Sequence, residues 1–121
     1  MRNTRLAKRL SVITATVALA GIAAMQPASA AQLYLEFDGT QVQVDNDPGD
    51  GAASWIWEYG STWNGATMSH VDIMYSNFSY GALEVQPGEA AAIDLRRDVQ
   101  AVSVCTVFNG SNWQCTDWQF I

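Results

Sequence analysis

The amino-acid sequence predicts an all-β domain, a small antiparallel β-sandwich or Greek-key barrel of about seven or eight strands, behind an N-terminal export signal. Three observations lead to this prediction. After residue 30, apolar and polar residues alternate with a period of two, as they do in half-buried strands. Turn-forming residues interrupt the alternation every eight to twelve positions. No segment shows the spacing of apolar residues that an amphipathic helix requires.

The first 30 residues have the composition of a secretory signal peptide. A basic start without acids precedes an uncharged apolar run over residues 10–25, which is short for a membrane span. Pro27 follows, and Ala28, Ser29 and Ala30 place small residues where signal peptidase reads them. We expect cleavage after Ala30, so that residues 1–30 are the signal peptide and residues 31–121 are a single secreted domain without a membrane segment.

The first element of the mature domain is a predicted hairpin over residues 32–45. Leu33, Leu35 and Phe37 alternate with polar side chains, and Asp38-Gly39 is a preferred two-residue turn. Folding at that turn gives four cross-strand pairs: Leu35 with Val42, Leu33 with Val44, Tyr34 with Gln43, and Glu36 with Gln41. One face of the hairpin is then apolar and the other polar, so this register allows one face to be buried.

Five further strands are predicted before the returning segment at the end of the chain. The first of them carries Trp55, Trp57 and Tyr59 on one face and Ile56 and Glu58 on the other. Segments rich in Gly, Pro and Asn mark the turns between these strands. The five strands are centred on residues 53–59, 71–75, 83–85, 93–95 and 99–108.

The two cysteines lie in the last hairpin, in which the end of the chain returns along the preceding strand. A pair of cysteines in an exported domain is expected to form a disulfide, and two thiols alone do not complete a zinc shell. A two-residue turn at Asn109-Gly110 would place the sulfurs on opposite faces. A three-residue loop that includes Ser111 places Cys105 directly opposite Cys115. We therefore predict the longer loop and a Cys105–Cys115 disulfide.

Removal of the signal leaves an acidic domain. All twelve Asp and Glu residues lie beyond residue 30, where Arg96 and Arg97 are the only cations, so the formal charge of residues 31–121 is −10. Such a surface repels nucleic acids and anionic membranes, which excludes both as expected partners. The charge is consistent with solubility outside the cell or with attraction of a cationic partner. We expect the two arginines to pair with Asp94 and Asp98.

Tryptophan is the over-represented residue type that says most about function, because all five tryptophans lie in the mature domain. Indole rings provide large contact areas for sugars and for proteins. If the aromatic side chains of the strand at 53–59 form the core, Ile56 faces solvent beside Glu58. If Ile56 is in the core, an aromatic surface faces water and offers a binding platform. The candidate ligand-binding residues are Trp55, Trp57, Tyr59, Trp63 and Trp113.

Residues 45–51 group three aspartates on one loop. Oxygen-rich loops of this kind can bind calcium. In the EF-hand pattern, however, Gly49 occupies a ligand position and Trp57 stands near the position of the final glutamate. A solvated turn is the preferred interpretation, and we predict no metal and no other cofactor.

The sequence offers little for catalysis. His70 is the only histidine, and Asp72 on the same strand face could orient it as a general base. No nucleophile motif accompanies it, however. Glu58 and Glu84 could form the carboxylate pair of a glycosidase, although nothing in the sequence brings them together. We therefore expect a protein that is not an enzyme and has no catalytic residues.

One segment resembles a known family over about a third of the domain. Tyr75 to Gly81, the following run to Glu89 and the later Ser103 resemble one Greek key of the microbial βγ-crystallins. The spacing from Tyr75 to Gly81 is one residue shorter than in that family, and Val99 and Val102 replace residues of its calcium motif. The resemblance implies a Greek-key β fold, and no calcium site is carried over from it.

These observations leave three functional hypotheses. The first is a secreted, monomeric, non-catalytic recognition domain that binds a polysaccharide through tryptophan and tyrosine side chains. The alternative is an inhibitor or binding partner of a cationic extracellular protein. The third is a small secreted hydrolase that uses His70 and an acid.

Overall fold

Residues 32–121 are the part of the chain that the structure, a computed structural model, describes; they form nine strands and no helix. The predicted signal peptide and its cleavage site therefore lie outside the described residues. Nothing within residues 32–121 is a helix long and apolar enough to cross a membrane. The strands are β1 (Gln32–Phe37), β2 (Thr40–Asp45), β3 (Ser54–Tyr59), β4 (Ala66–Tyr75), β5 (Tyr80–Val85), β6 (Ala90–Leu95), β7 (Val99–Phe108), β8 (Asn112–Cys115) and β9 (Gln119–Phe120).

The strands form two antiparallel sheets, which confirms the all-β prediction in its β-sandwich form. Sheet I has the order β1-β2-β3-β6. Sheet II has the order β5-β4-β7-β8. Strand β9 also pairs with β7, at Ala101 and Val102, whereas β8 pairs with the later part of β7. Antiparallel sheets of this kind bury one face and expose the other, so the side chains alternate between core and solvent.

The first hairpin has the predicted register. All four predicted pairs occur between β1 and β2, including Leu35 with Val42 and Tyr34 with Gln43. Asp38 and Gly39 both have positive φ angles, of 49° and 85°, as the two central residues of a type I′ turn require. The turn chemistry and the alternation of side chains therefore specify the same pairing.

The last hairpin also has the predicted loop and disulfide. Phe108 pairs with Asn112, and Cys105 lies opposite Cys115 and is bonded to it. The returning segment is not one strand, however. Thr116 leaves the ladder and bonds β7 through its backbone N–H, which donates to the Val104 carbonyl, and its hydroxyl, which accepts from the Val104 N–H. This interruption divides the segment into β8 and β9, so the domain has nine strands rather than seven or eight.

The core lies between the two sheets. Each sheet contributes β-branched residues at alternate positions, which suit a pleated, buried surface. Ile56 of β3 is 0% exposed and belongs to this core. The core residues are Val42, Val44, Ile56 and Leu95 from sheet I, and Val71, Ile73, Val99, Val102 and Val104 from sheet II.

Candidate functional site

The outer face of sheet I carries the aromatic residues of β3. Ile56 and Glu58 are both 0% exposed and face sheet II. Trp55, Trp57 and Tyr59 alternate with them and are half-buried, so they lie on the opposite, outward side. The structure thereby decides between the two orientations left open by the sequence, in favour of an outward aromatic surface.

The strands on either side of β3 determine what surrounds these rings. In the ladder, Trp57 lies between Gln43 of β2 and Ala92 of β6, and Tyr59 lies between Gln41 and Ala90. Alanine ends at Cβ, so the β6 side of both rings has no larger neighbour on the adjacent strand. The amides on the β2 side provide hydrogen-bond donors and acceptors next to the rings.

A fourth aromatic residue extends this surface. Tyr34 of β1 lies opposite Gln43, which in turn lies opposite Trp57, and Tyr34 is exposed. The rings of Trp57 and Tyr59 are within 14° of parallel, with centroids 6.4 Å apart. We call Tyr34, Trp55, Trp57 and Tyr59, with Gln41 and Gln43 between the strands, the aromatic face of sheet I.

Carboxylates lie at both ends of the aromatic face. Glu36 is in the same cross-strand row as Tyr59, and Asp45 and Asp94 flank Trp55. The hydrogen bond from Asp94 to Asp50 raises the pKa of Asp94. The pKa of Asp50 is lowered, mainly by the backbone N–H of Ala52. The face therefore has polar, acidic margins.

The expected arginine pairs do not form. Within residues 32–121, neither Arg96 nor Arg97 makes an ion pair with a carboxylate. Asp94 instead has the carboxyl group of Asp50, from the 45–51 loop, as a neighbour. The prediction was wrong because proximity in sequence does not by itself bring exposed arginine side chains within ion-pair distance of a carboxylate. No lysine or arginine lies on any strand of sheet I.

The carboxylates of the 45–51 loop bond their own backbone. The Asp45 carboxylate accepts from the N–H of Asp47, and that of Asp50 accepts from the N–H of Ala52. These are the local bonds that aspartate makes in turns. Among residues 32–121 no group of three or more His, Cys, Asp and Glu side chains could hold a metal ion.

Trp63 and Trp113 lie apart from the aromatic face. Trp63, in the β3–β4 loop, packs on Gly39 of the β1–β2 turn so closely that a Cβ at residue 39 would be 2.5 Å from the indole. Trp113 pairs with Val107 and lies on the outer face of sheet II, with its ring 5.2 Å from that of His70. The five candidate residues therefore form one group of three and two separate positions.

His70 is held between two carboxylates on the outer face of sheet II. Its Nε2 lies 2.8 Å from Asp72 and its Nδ1 lies 2.9 Å from Glu84. The sequence anticipated Asp72 but not Glu84, which is directly opposite His70 on β5. Both ring nitrogens are thus occupied, and neither contacts a serine. Ser69 instead bonds Thr40 inside the sandwich, and Ser103 donates to the carbonyl of Thr116.

Glu58 is a buried carboxyl group without a partner. Neither of its oxygens has a hydrogen-bond partner among the described residues, and the side chain is 0% exposed. Burial, and to a smaller extent the negative charge of Glu84, raises the pKa of Glu58 to about 8. Glu58 is therefore protonated at neutral pH, and it is too deeply buried to contact a substrate in this conformation.

Comparisons with known proteins do not add to this site: no family model matches the chain, and no curated protein or solved structure matches it significantly. The partial resemblance to the βγ-crystallins gains no support from them.

The sequence missed the contribution of Tyr34, Gln41 and Gln43, although the hairpin register already placed Tyr34 beside Gln43. The alanines of β6 could not be found, because nothing local pairs β6 with β3.

Proposed function

We propose that this protein is a secreted, non-catalytic recognition domain that binds a polysaccharide through the aromatic face of sheet I. The observation that carries the proposal is the alternation on β3, which places Trp55, Trp57 and Tyr59 outward while Ile56 is buried. Three large, half-buried aromatic side chains on the outer face of one strand lie outside the core. Their position is explained if they contact a ligand.

The neighbours of the rings favour a sugar. Pyranose rings bind proteins by stacking on aromatic rings while their hydroxyl groups bond to polar side chains. Trp57 and Tyr59 are nearly parallel, and Gln41 and Gln43 supply amides beside them. On the β6 side of the rings the neighbours are the small side chains of Ala90 and Ala92, which leave room for a chain of sugars along β3.

The charge of the face restricts the class of polysaccharide. Glu36, Asp45 and Asp94 lie at its ends, and no lysine or arginine lies on its strands. An anionic polymer would be repelled, whereas a neutral polymer would not. We therefore propose a neutral polysaccharide as the ligand.

The environment and state of the protein are part of the same proposal. The disulfide is compatible with an oxidising, extracellular location, and the sequence of residues 1–30 supports export. The formal charge of −10 on residues 31–121 disfavours nucleic acid and membranes as partners. It also disfavours self-association, which supports a monomer.

A retention experiment tests the proposal. The purified protein is mixed with insoluble cellulose, chitin and mannan as neutral polymers and with cross-linked polygalacturonate as an anionic one. We expect retention on at least one neutral polymer and none on the anionic one. Trp57→Ala should weaken binding by about 1–3 kcal/mol, and salt should have little effect because stacking does not depend on charge.

Two matched variants locate the binding surface. Ala92→Leu keeps every aromatic ring but fills the space beside Trp57, so it should also weaken retention. Trp113→Ala removes an equally large side chain from the opposite sheet and should leave retention unchanged. Unfolding curves establish that each variant is folded. Two results would contradict the proposal: retention that is lost only in the Trp113→Ala variant, or an unaltered protein that no polymer retains.

A further inference from the structure

The outer face of sheet II contains an apolar row of four residues, of which Ala101 is fully buried. Tyr80 of β5 pairs with Met74 of β4, Met74 with Ala101 of β7, and Ala101 with Phe120 of β9. Their side chains share the outward side because Ile73 and Val102, the neighbours of Met74 and Ala101, are in the core. Tyr80 is 65% exposed and Phe120 is 62% exposed, although both are large and apolar.

Two more aromatic residues adjoin this row. Trp118 precedes β9 and its ring lies 6.0 Å from that of Tyr80, so it extends across the central strands of the sheet. Phe78 lies at the tip of the β4–β5 turn and is 64% exposed. We call Tyr80, Met74 and Phe120, with Trp118 and Phe78, the apolar patch of sheet II.

Phe78 has a backbone conformation that is unfavourable for its residue type. Its φ angle is +64°, a left-handed conformation that glycine and asparagine adopt far more readily than phenylalanine. The turn is fixed by hydrogen bonds from the N–H of Phe78 to the Tyr75 carbonyl and from the N–H of Tyr75 to the Ser79 carbonyl. An exposed phenyl group held in a strained turn is typical of a residue that contacts a partner.

The chemistry of the apolar patch differs from that of the aromatic face and favours a protein. Met74, Phe120 and Phe78 offer no polar group to a sugar hydroxyl, whereas Met and aromatic residues are enriched at the centres of protein interfaces. The rings of Tyr80 and Trp118 are tilted by 44°, so they do not form a flat stacking surface.

The charges around the patch define the partner further. Asp72 lies two residues from Met74 on the same side of β4; one of its oxygens bonds His70, and its side chain is half-exposed. Asp117 directly precedes Trp118 and is exposed. No lysine or arginine lies on any strand of sheet II. Acids around an apolar centre are complementary to a basic partner. A second copy of this domain, which also has a formal charge of −10, would be repelled.

We propose that the apolar patch of sheet II is a docking surface for a basic segment of another extracellular protein. Apolar side chains of that segment cover Tyr80, Met74 and Phe120, and its lysine or arginine side chains face Asp72 and Asp117. The proposal is independent of polysaccharide binding, because the two surfaces lie on opposite sides of the sandwich.

Selection from a random 12-residue peptide library displayed on phage tests the proposal, with the purified protein as the immobilised target. We expect the enriched peptides to combine aromatic or leucine residues with lysine or arginine. Synthetic copies should bind at least ten-fold more weakly when the basic residues are replaced by glutamine. They should also bind at least ten-fold more weakly to a Tyr80→Ser/Phe120→Ser variant, and equally well to Trp57→Ala.

Several outcomes would overturn the docking surface. One is the enrichment of peptides that lack basic residues. The failure of the selection to enrich any peptide is another. Another is binding that persists in the Tyr80→Ser/Phe120→Ser variant, whose unfolding curve establishes that it is folded. A dimer in analytical ultracentrifugation that the same variant abolishes would identify a second copy as the occupant. Polysaccharide retention that fails in this variant but not in Trp57→Ala would assign the patch to sugars.

Discussion

Sheet I and sheet II differ in where a central strand of each places its ionisable side chains. In sheet I the aromatic residues of β3 point outward, and the carboxyl group of Glu58 on the same strand is buried without a partner. In sheet II the ionisable residues His70, Asp72 and Glu84 point outward and bond to one another. The central strand β7 is almost fully buried on both faces.

This difference separates the roles of the two sheets. The outer face of sheet I has aromatic rings, amides and alanines in regular rows, which suit a repeating ligand. The outer face of sheet II has an irregular, tilted set of apolar side chains with acids beside it, which suits a protein segment. The buried carboxyl group of sheet I should make the free energy of unfolding depend on pH, whereas the hydrogen-bonded cluster of His70, Asp72 and Glu84 on sheet II should contribute little to that free energy. Three measurements test this comparison.

The largest effect is expected from Glu58. Its pKa is about 8 in the folded state, above its ordinary value of 4.5, so the folded protein holds the proton more tightly than the unfolded chain does. The stability that proton binding by Glu58 gives to the folded protein is complete below pH 4.5 and is lost as the pH rises through 8. The free energy of unfolding should therefore fall with pH in this window, by at most about 1.4 kcal/mol per pH unit from this group. Urea unfolding between pH 5 and pH 9 measures it.

Glu58→Gln should remove this pH dependence, because glutamine has a similar size and no charge. Glu36→Gln is the matched control, since Glu36 is exposed on the outer face of the same sheet. The control should have the slope of the unaltered protein. Equal slopes for all three proteins would mean that Glu58 is hydrated in solution and that the buried acid does not distinguish sheet I.

The disulfide should have the next largest effect. The bond closes a short loop between β7 and β8, with a sequence separation of 10, so the Cys105→Ser/Cys115→Ser variant should lose about 2–3 kcal/mol of unfolding free energy. The loss concerns the edge of sheet II, so polysaccharide retention under native conditions should persist. Labelling of both thiols without reductant in the unaltered protein would contradict the bond, and loss of retention would mean that the two sheets are not independent.

The smallest effect is expected from the charged cluster of sheet II. Asp72 and Glu84 are about half-exposed, so solvent weakens their attraction to His70. His70→Gln should reduce the free energy of unfolding by about 0.5–1 kcal/mol at low salt, and by less at high salt. Urea unfolding at two salt concentrations measures the difference. A loss as large as that of the disulfide would show that the cluster holds β4 and β5 together.

Much of the fold could be predicted from the sequence because local rules were sufficient. The Asp38-Gly39 turn and the alternation around it fixed the first hairpin, and the requirement that Cys105 and Cys115 share a face fixed the last loop. The limits of β7 were predicted to the residue from its β-branched composition. The number of strands was less accurate, because the break at Thr116 depends on hydrogen bonds to β7 that the sequence does not reveal.

The candidate sites were predicted only in part. By itself the sequence determined that β3 has an aromatic side and an Ile56 side, since alternation is a local property of a strand. Only the packing of the two sheets decided which side is outward, because β3 needed the apolar rows of β2 and sheet II to bury Ile56. Glu84 lies opposite His70 through the hairpin of β4 and β5, whose register depends on the hydrogen bonds of the turn between Tyr75 and Tyr80. The packing of the sheets, in contrast, put Ala90 and Ala92 beside the rings, because β3 and β6 are distant in sequence and their association depends on the shared core rather than on any short segment of the chain.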